Sequence, residues 1–323
     1  MFEKSTATLS ASKKAVDEFV NDKLGLSVHW GIYAIIGKGE WVMHVDKIDV
    51  KEYEKLMDVF NSVHFDADEW ISLLKETGIK SFMITSKHHD GFCMFDTAIT
   101  DYKITNTPFK RDPIKELADV CHKYNVKLHF YYSLLDWHHP DYQSNWKSYV
   151  KYYQGQIKEL CSNYGKIGGF IFDGWWPRHP FDESQEYFIP KGIWRIGETY
   201  DLIHSLQPDA LIANNHHILP LPGEDYQVFE LDLPGENTAG FNTTEIGDKP
   251  LASWINLGGG WSYIKDNRRF PEVDYFLNFK KRCDERNTFL WLNAAPMPDG
   301  RLQPEQVKIL KEFGEALKHE REK

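Results

Sequence analysis

The chain has 323 residues, 41% of them hydrophobic, with 38 basic against 48 acidic side chains and a net charge of -10. The acidic balance argues against a nucleic-acid partner, whose phosphates need a basic face, while the apolar fraction suffices for a sizeable core. Cys93, Cys121, Cys161 and Cys283 form no CxxC pair, no apolar run approaches a membrane span, and the N-terminus carries no signal-peptide pattern, so zinc-ribbon and membrane readings fall away and a cytoplasmic setting is expected.

In chain order, short apolar runs at 24–29, 81–86, 126–133 and 168–173 read as strands. Further runs follow at 210–214, 227–230, 251–256 and 288–293. Helical signals fill much of the space between. Asp66 is a carboxylate cap before an acidic first turn, and Gly78 is a stop. Pro113, after Asp112, takes the first helical position. Residues 146–164, 192–206 and 272–286 are amphipathic, and Pro304 opens a last helix. Strand alternating with helix through eight units predicts an α/β fold, a single (β/α)8 TIM-like barrel occupying residues 1–323 as one domain.

In such a barrel the reactive groups stand at the C-terminal ends of the strands. Here those ends read His29-Trp30-Gly31, Lys87-His88-His89-Asp90-Gly91, Tyr131-Tyr132-Ser133 and Asp173-Gly174-Trp175. Asn214-Asn215-His216-His217, Glu230 and Trp254 follow on the later strands. Asp173 closes a buried-looking strand, Ile167-Gly-Gly-Phe-Ile-Phe-Asp173, and precedes Trp175 and Trp176. A carboxylate there is costly unless paired or used, although a helix cap is the plain alternative. Aromatic side chains make up 15% of the chain, and flat indole faces suit a sugar ring.

Two carboxylates facing each other across the barrel mouth would hydrolyse a glycoside, one attacking the anomeric carbon and one protonating the leaving oxygen. Asp173 is the candidate nucleophile. Among Glu224, Asp225, Glu230, Asp232 and Glu236, Glu230 ranks first as acid because it ends a short strand, and Glu236 is second. A metal-dependent barrel hydrolase using the histidine pairs 88–89, 138–139 and 216–217 is the alternative. It is disfavoured because neighbours on a strand point to opposite faces. A barrel that only binds sugar would need the aromatics and no opposed carboxylates.

These residues resemble glycoside hydrolase family 29, the α-L-fucosidases. The resemblance rests on His29-Trp30-Gly31, Gly39-Glu40-Trp41, Thr85-Ser-Lys-His-His-Asp-Gly-Phe92, Tyr131-Tyr132-Ser133, Phe172-Asp173-Gly174 and Leu292-Asn-Ala-Ala-Pro-Met-Pro-Asp-Gly300. It implies a retaining exo-hydrolase of terminal α-L-fucose with Asp173 as nucleophile and no cofactor or metal. His29, Glu40, Trp41, His88, His89 and Tyr132 would line the pocket, with neutral imidazoles bonding to sugar hydroxyls. Trp175, Trp254 or Phe229 would wall the fucose methyl. The family's Asn-Asp-Arg-like end of the fifth strand is here Asn214-Asn215-His216-His217, so His216 is expected in place of the arginine. His138, His139 and His179 read as loop or surface residues, and Gly258-Gly259-Gly260-Trp261 as a flexible loop. The C-terminal β-sandwich common in the family is not expected, which leaves a loop or a second copy in a homo-oligomer to complete the aglycone side. The expected partner is a fucosylated oligosaccharide or glycoside.

Overall fold

A computed structural model describes residues 3–176 and 192–321; His179 lies outside them. Eight parallel strands form one sheet: β1 (Leu24–Val28), β2 (Ser81–Lys87), β3 (Lys127–Ser133), β4 (Gly169–Asp173), β5 (Leu211–Asn214), β6 (Gln227–Glu230), β7 (Leu251–Asn256) and β8 (Thr288–Ala294). Their order, β5-β4-β3-β2-β1-β8-β7-β6, curls into a nearly closed barrel. Every strand falls where its apolar run predicts it, within a residue or so at the ends. No second sheet occurs among the described residues.

The helices are α1 (Lys13–Asp22), α2 (Val42–Val45), α3 (Val50–Glu54), α4 (Ala67–Thr77), α5 (Pro113–Tyr124), α6 (Asp141–Ser144), α7 (Trp146–Asn163), α8 (Ile196–Leu206), α9 (Val273–Glu285) and α10 (Pro304–Arg321). Their start and stop signals act as read. The Asp66 carboxylate accepts from the Asp68 and Glu69 amides, and Gly78 ends α4 at φ 76°. Asp112 caps α5 ahead of Pro113. The strict strand–helix alternation does not hold throughout, because the described chain between β5 and β6 and between β6 and β7 contains no helix. Those connections are loops tied down by their own side chains. Asp232, for example, accepts from the Thr238 and Ala239 amides and from Asn242.

Two apolar layers result. The outer one lies between strands and helices. The inner one fills the barrel with Met83, Tyr131, Ile171, Ala213, Val228, Ala252, Trp254, Phe289 and Trp291. Gly25 makes room for it, since a Cβ there would lie 2.3 Å from the Trp291 ring. At the N-terminal mouth α1 is a plug, with Phe19 stacked on Phe289 at 4.1 Å between centroids. The core therefore fills the lower barrel.

Candidate active site

Alternation along β4 places Ile171 inside the barrel and, two residues on, aims Asp173 at the same interior. Asp173 is only 8% exposed. Tyr131, which also faces inward, donates its hydroxyl to Asp173 Oδ2 at 2.7 Å. Burial raises the Asp173 carboxyl to about 6, against donors at Tyr131, Gly174, Asn215 and Trp176 that favour the ionised form.

Glu230 ends β6 two residues beyond the inward-facing Val228. Burial first, then the nearby charge of Asp173, raises its carboxyl to about 8. Asn215 links the two acids: its Nδ2 lies 2.6 Å from Glu230 Oε2 and 3.5 Å from Asp173 Oδ1. His217 Nε2 stands 3.9 Å from the same Glu230 oxygen. The other acids of that segment are engaged in holding structure. Glu224 is bound by Tyr200 and His216, and Asp225 by the Ala11 and Ile212 amides. Glu236, the second-ranked acid, is engaged in an ion pair with Arg282 and Arg286 at 2.9 and 3.0 Å.

Three imidazoles lie around Asp173. A bulge in β2 opposes Ser86 and Lys87 to Tyr132 alone, which turns Lys87 outward to a buried pair with Asp136 at 2.9 Å. The chain then leaves the strand, so both His88 and His89 reach the site, their ring centroids 4.2 Å apart. The His88 ring stacks on Tyr131 at 5.3 Å. Its Nδ1 is buried with no partner among the described residues. His89 Nδ1 donates to Ser133 Oγ at 2.6 Å, since the Ser133 hydrogen goes to the Leu135 carbonyl. His89 Nε2 then stands 3.8 Å from Asp173 Oδ2. His29 Nδ1 donates to Asn293 Oδ1 at 2.8 Å, leaving Nε2 as an acceptor. Burial lowers His29 to about 4 and pushes His88 and His89 well below the usual imidazole range, so all three are neutral near pH 7.

Indoles wall the remaining space. Trp254 donates to Ser27 Oγ and packs 5.3 Å from the His29 ring. Trp41 meets the edge of His89 at 5.2 Å. Glu40, its carboxyl raised by burial, accepts from the Ser262 amide and joins this segment to the loop after β7.

Several expected positions move. Tyr132 faces outward, its hydroxyl donating to Gln156 of α7 at 2.6 Å; strand alternation gives the pocket to Tyr131 instead. Phe229 likewise has the face opposite Val228 and Glu230. His216 is not available to a sugar, because Nδ1 accepts from the Ile218 amide and Nε2 faces Glu224 at 3.1 Å. Trp175 is buried against Trp194 and His216. Trp176 takes the rim, 5.6 Å from His89 and 6.0 Å from Trp41. His138 and His139 are loop residues as read, with His138 paired to Glu54 at 2.7 Å. Trp261, read as part of a flexible loop, packs 4.7 Å from Trp254 and favours the ionised form of Glu230 through its indole.

The residues missed by sequence reasoning are Tyr131, Asn215, Trp261 and Asn293. Tyr131, Asn215 and Asn293 stand near or just past strand ends and Trp261 lies in the loop after β7; alternation counted from Asp173, Glu230 and Trp254 would have selected the first. Among the described residues no three His, Cys, Asp or Glu side chains converge to hold a metal, and no helix is long and apolar enough to cross a membrane.

The family model of the α-L-fucosidases matches residues 1–322. The chain belongs to the α-L-fucosidase family. Among its relatives, alpha-L-fucosidase 1 of Arabidopsis thaliana is 28% identical over 281 residues, 80% of this chain and 52% of that protein. This chain thus spans about half the length of that plant relative. The solved α-L-fucosidase isoenzyme 1 from Paenibacillus thiaminolyticus superposes with a TM-score of 0.81 at 33% identity, over 95% of this chain and 76% of the other. Unliganded α-L-fucosidase AlfC from Lactobacillus casei gives 0.76 at 26% identity, over 96% and 99%. The family's barrel is therefore the fold observed here.

Proposed function

We propose that the protein is an exo-acting, retaining α-L-fucosidase that releases terminal α-L-fucose from a glycan or glycoside by double displacement. Asp173 attacks the anomeric carbon, and Glu230 protonates the departing oxygen and then deprotonates water. The observation that carries this reading is the pair of buried carboxylates held on one amide nitrogen. At 2.6 and 3.5 Å from Asn215 Nδ2, their oxygens are separated by no more than roughly 6 Å. That favours direct attack, for which carboxylates stand about 5–5.5 Å apart, over an interposed water, which needs about 6.5–9.5 Å. The roles follow from the ordering of the two groups. A carboxyl near 6 is largely ionised at neutral pH and fit to attack, while one near 8 keeps its proton and fits a general acid.

The neutral His29, His88 and His89 supply acceptors for sugar hydroxyls while adding no positive charge to compete with the oxocarbenium-like transition state. Of the walls considered for the fucose methyl, Trp254 supports the reading best, since Phe229 and Trp175 point elsewhere.

The deciding assay is hydrolysis of an aryl α-L-fucoside by wild type, Asp173→Ala and Glu230→Ala, with and without azide and chelator. Turnover that is lost in Asp173→Ala, and restored by azide in one or both variants, is expected. Turnover that chelator abolishes and zinc restores would overturn it in favour of a metallohydrolase; fucose binding without turnover would favour a sugar-binding barrel.

A further inference from the structure

We propose that Asn215 is a positioning residue whose amide nitrogen sets the distance and relative proton affinity of the two carboxylates across the one unpaired seam of the barrel. This rests on the reading of Asp173 and Glu230 as the catalytic pair. Seven neighbouring strand pairs are joined by backbone ladders, whereas none joins β5 to β6. Asp173 stands on β4 and Glu230 on β6, so the seam lies between them.

Scattered backbone and side-chain bonds stand there in place of a ladder. Low in the barrel, the Asp225 amide donates to the Ile212 carbonyl, and the Ile212 amide donates back to Asp225 Oδ2 at 2.8 Å. At the rim, Asn242 brackets the Glu230 backbone, accepting from its amide at 3.3 Å and donating to its carbonyl at 2.7 Å. Both contacts hold the Glu230 main chain, while its carboxyl is held separately, with the Trp261 indole and His217 beside it. Asn215 Nδ2 reaches that carboxyl and Asp173 together. The Asn215 Oδ1, buried, has no partner among the described residues. The amide orientation is therefore dictated by the two acids it serves.

The sign of the effect follows. A donor to a carboxylate stabilises the charged form, and Asn215 lowers both acids. Without it, Glu230 should hold its proton to higher pH, and the spacing between the acids should loosen.

The experiment is the pH profile of kcat/KM on an aryl α-L-fucoside for wild type, Asn215→Ala and Asn215→Asp, with a thermal melt of each. Asn215→Ala should lose roughly 10–100-fold in kcat/KM, the size of a hydrogen bond to a charged group, with the alkaline limb moved upward. Asn215→Asp, close in shape, should regain activity only in the pH window where the new carboxyl holds a proton in place of the amide hydrogen and Asp173 is still ionised. Carbon NMR titration of Glu230, assigned with Glu230→Gln, reads the same shift without turnover. An unmoved Glu230 titration in both variants overturns the proposal, whether or not the wild type cleaves fucosides. Absent wild-type turnover with a moved titration would instead overturn the fucosidase reading alone. If Asn215→Ala does not fold, the isosteric Asn215→Asp titration decides.

Discussion

Strands β1 to β5 run as one continuous ladder, and the three connections from β2 to β5 each carry a long helix. The arc from β5 through β6 to β7 has no intervening helix among the described residues and lacks a ladder at the β5–β6 seam. The first arc places its groups by backbone register and alternation: Asp173, Tyr131, His88 and His89 are where they are because rigid strands end there. The second also sets Glu230 by register, opposite Trp254 of β7, but holds its carboxyl through Asn215, His217 and Trp261, side chains drawn from loops. On the proposed roles, the nucleophile sits on the continuous ladder and the acid beside the open seam.

Breaking the rigid arc at its reactive end should have the largest effect. Asp173→Asn should cut kcat on an aryl α-L-fucoside by on the order of 10⁴ or more, as removal of a covalent nucleophile does. Removing the acid of the looser arc should cost less: Glu230→Gln should lose about 10²–10⁴-fold, the range of general acid–base catalysis. For an activated aryl leaving group, the loss should be smaller than for an unactivated one. The wild-type kcat/KM should be bell-shaped. Activity falls as pH drops through about 6, where Asp173 takes up a proton, and again as pH rises through about 8, where Glu230 loses its own. A profile without an alkaline limb would remove Glu230 from the acid role.

The seam itself can be opened below the site. Asp225→Ala leaves the Ala11 and Ile212 amides without partners and ends the 3.5 Å contact with His204. It should destabilise the fold by about 3 kcal/mol, measured by chemical denaturation. A variant as stable as wild type would show the seam to be closed by packing alone.

The finest test compares two adjacent tyrosines. Tyr131→Phe removes the hydroxyl from Asp173, so its carboxyl should titrate higher, moving the acid limb upward and lowering kcat/KM at neutral pH by roughly tenfold. Tyr132→Phe should leave the pH profile in place and cost about 1 kcal/mol of stability through the lost Gln156 contact. Equal effects on catalysis would contradict the facing of β3. The ion pair of Glu236 with Arg282 and Arg286 is partly exposed, so Glu236→Gln should change neither activity nor stability by a measurable amount.

Some of this was written in local sequence. The eight strands, the caps at Asp66 and Asp112 and the stop at Gly78 depend on neighbours a few residues away, so pattern alone locates them. The rule that reactive groups stand at C-terminal strand ends then picks out Asp173, His29, His88, His89 and Glu230 from the sequence. Tertiary structure decided what depends on direction or on distant partners. Whether Tyr131 or Tyr132 meets Asp173 turns on strand phase, and whether both His88 and His89 can converge turns on a bulge no propensity announces. Sequence ranked Glu230 ahead of Glu224, Asp225, Asp232 and Glu236 by its strand end, and the tertiary partners of the others show what engages each of them instead. Sequence determined where the chemistry stands on the barrel; only folding brought one amide, on Asn215, between the two acids, since the strands it bridges share no backbone bond and their residues meet through space alone.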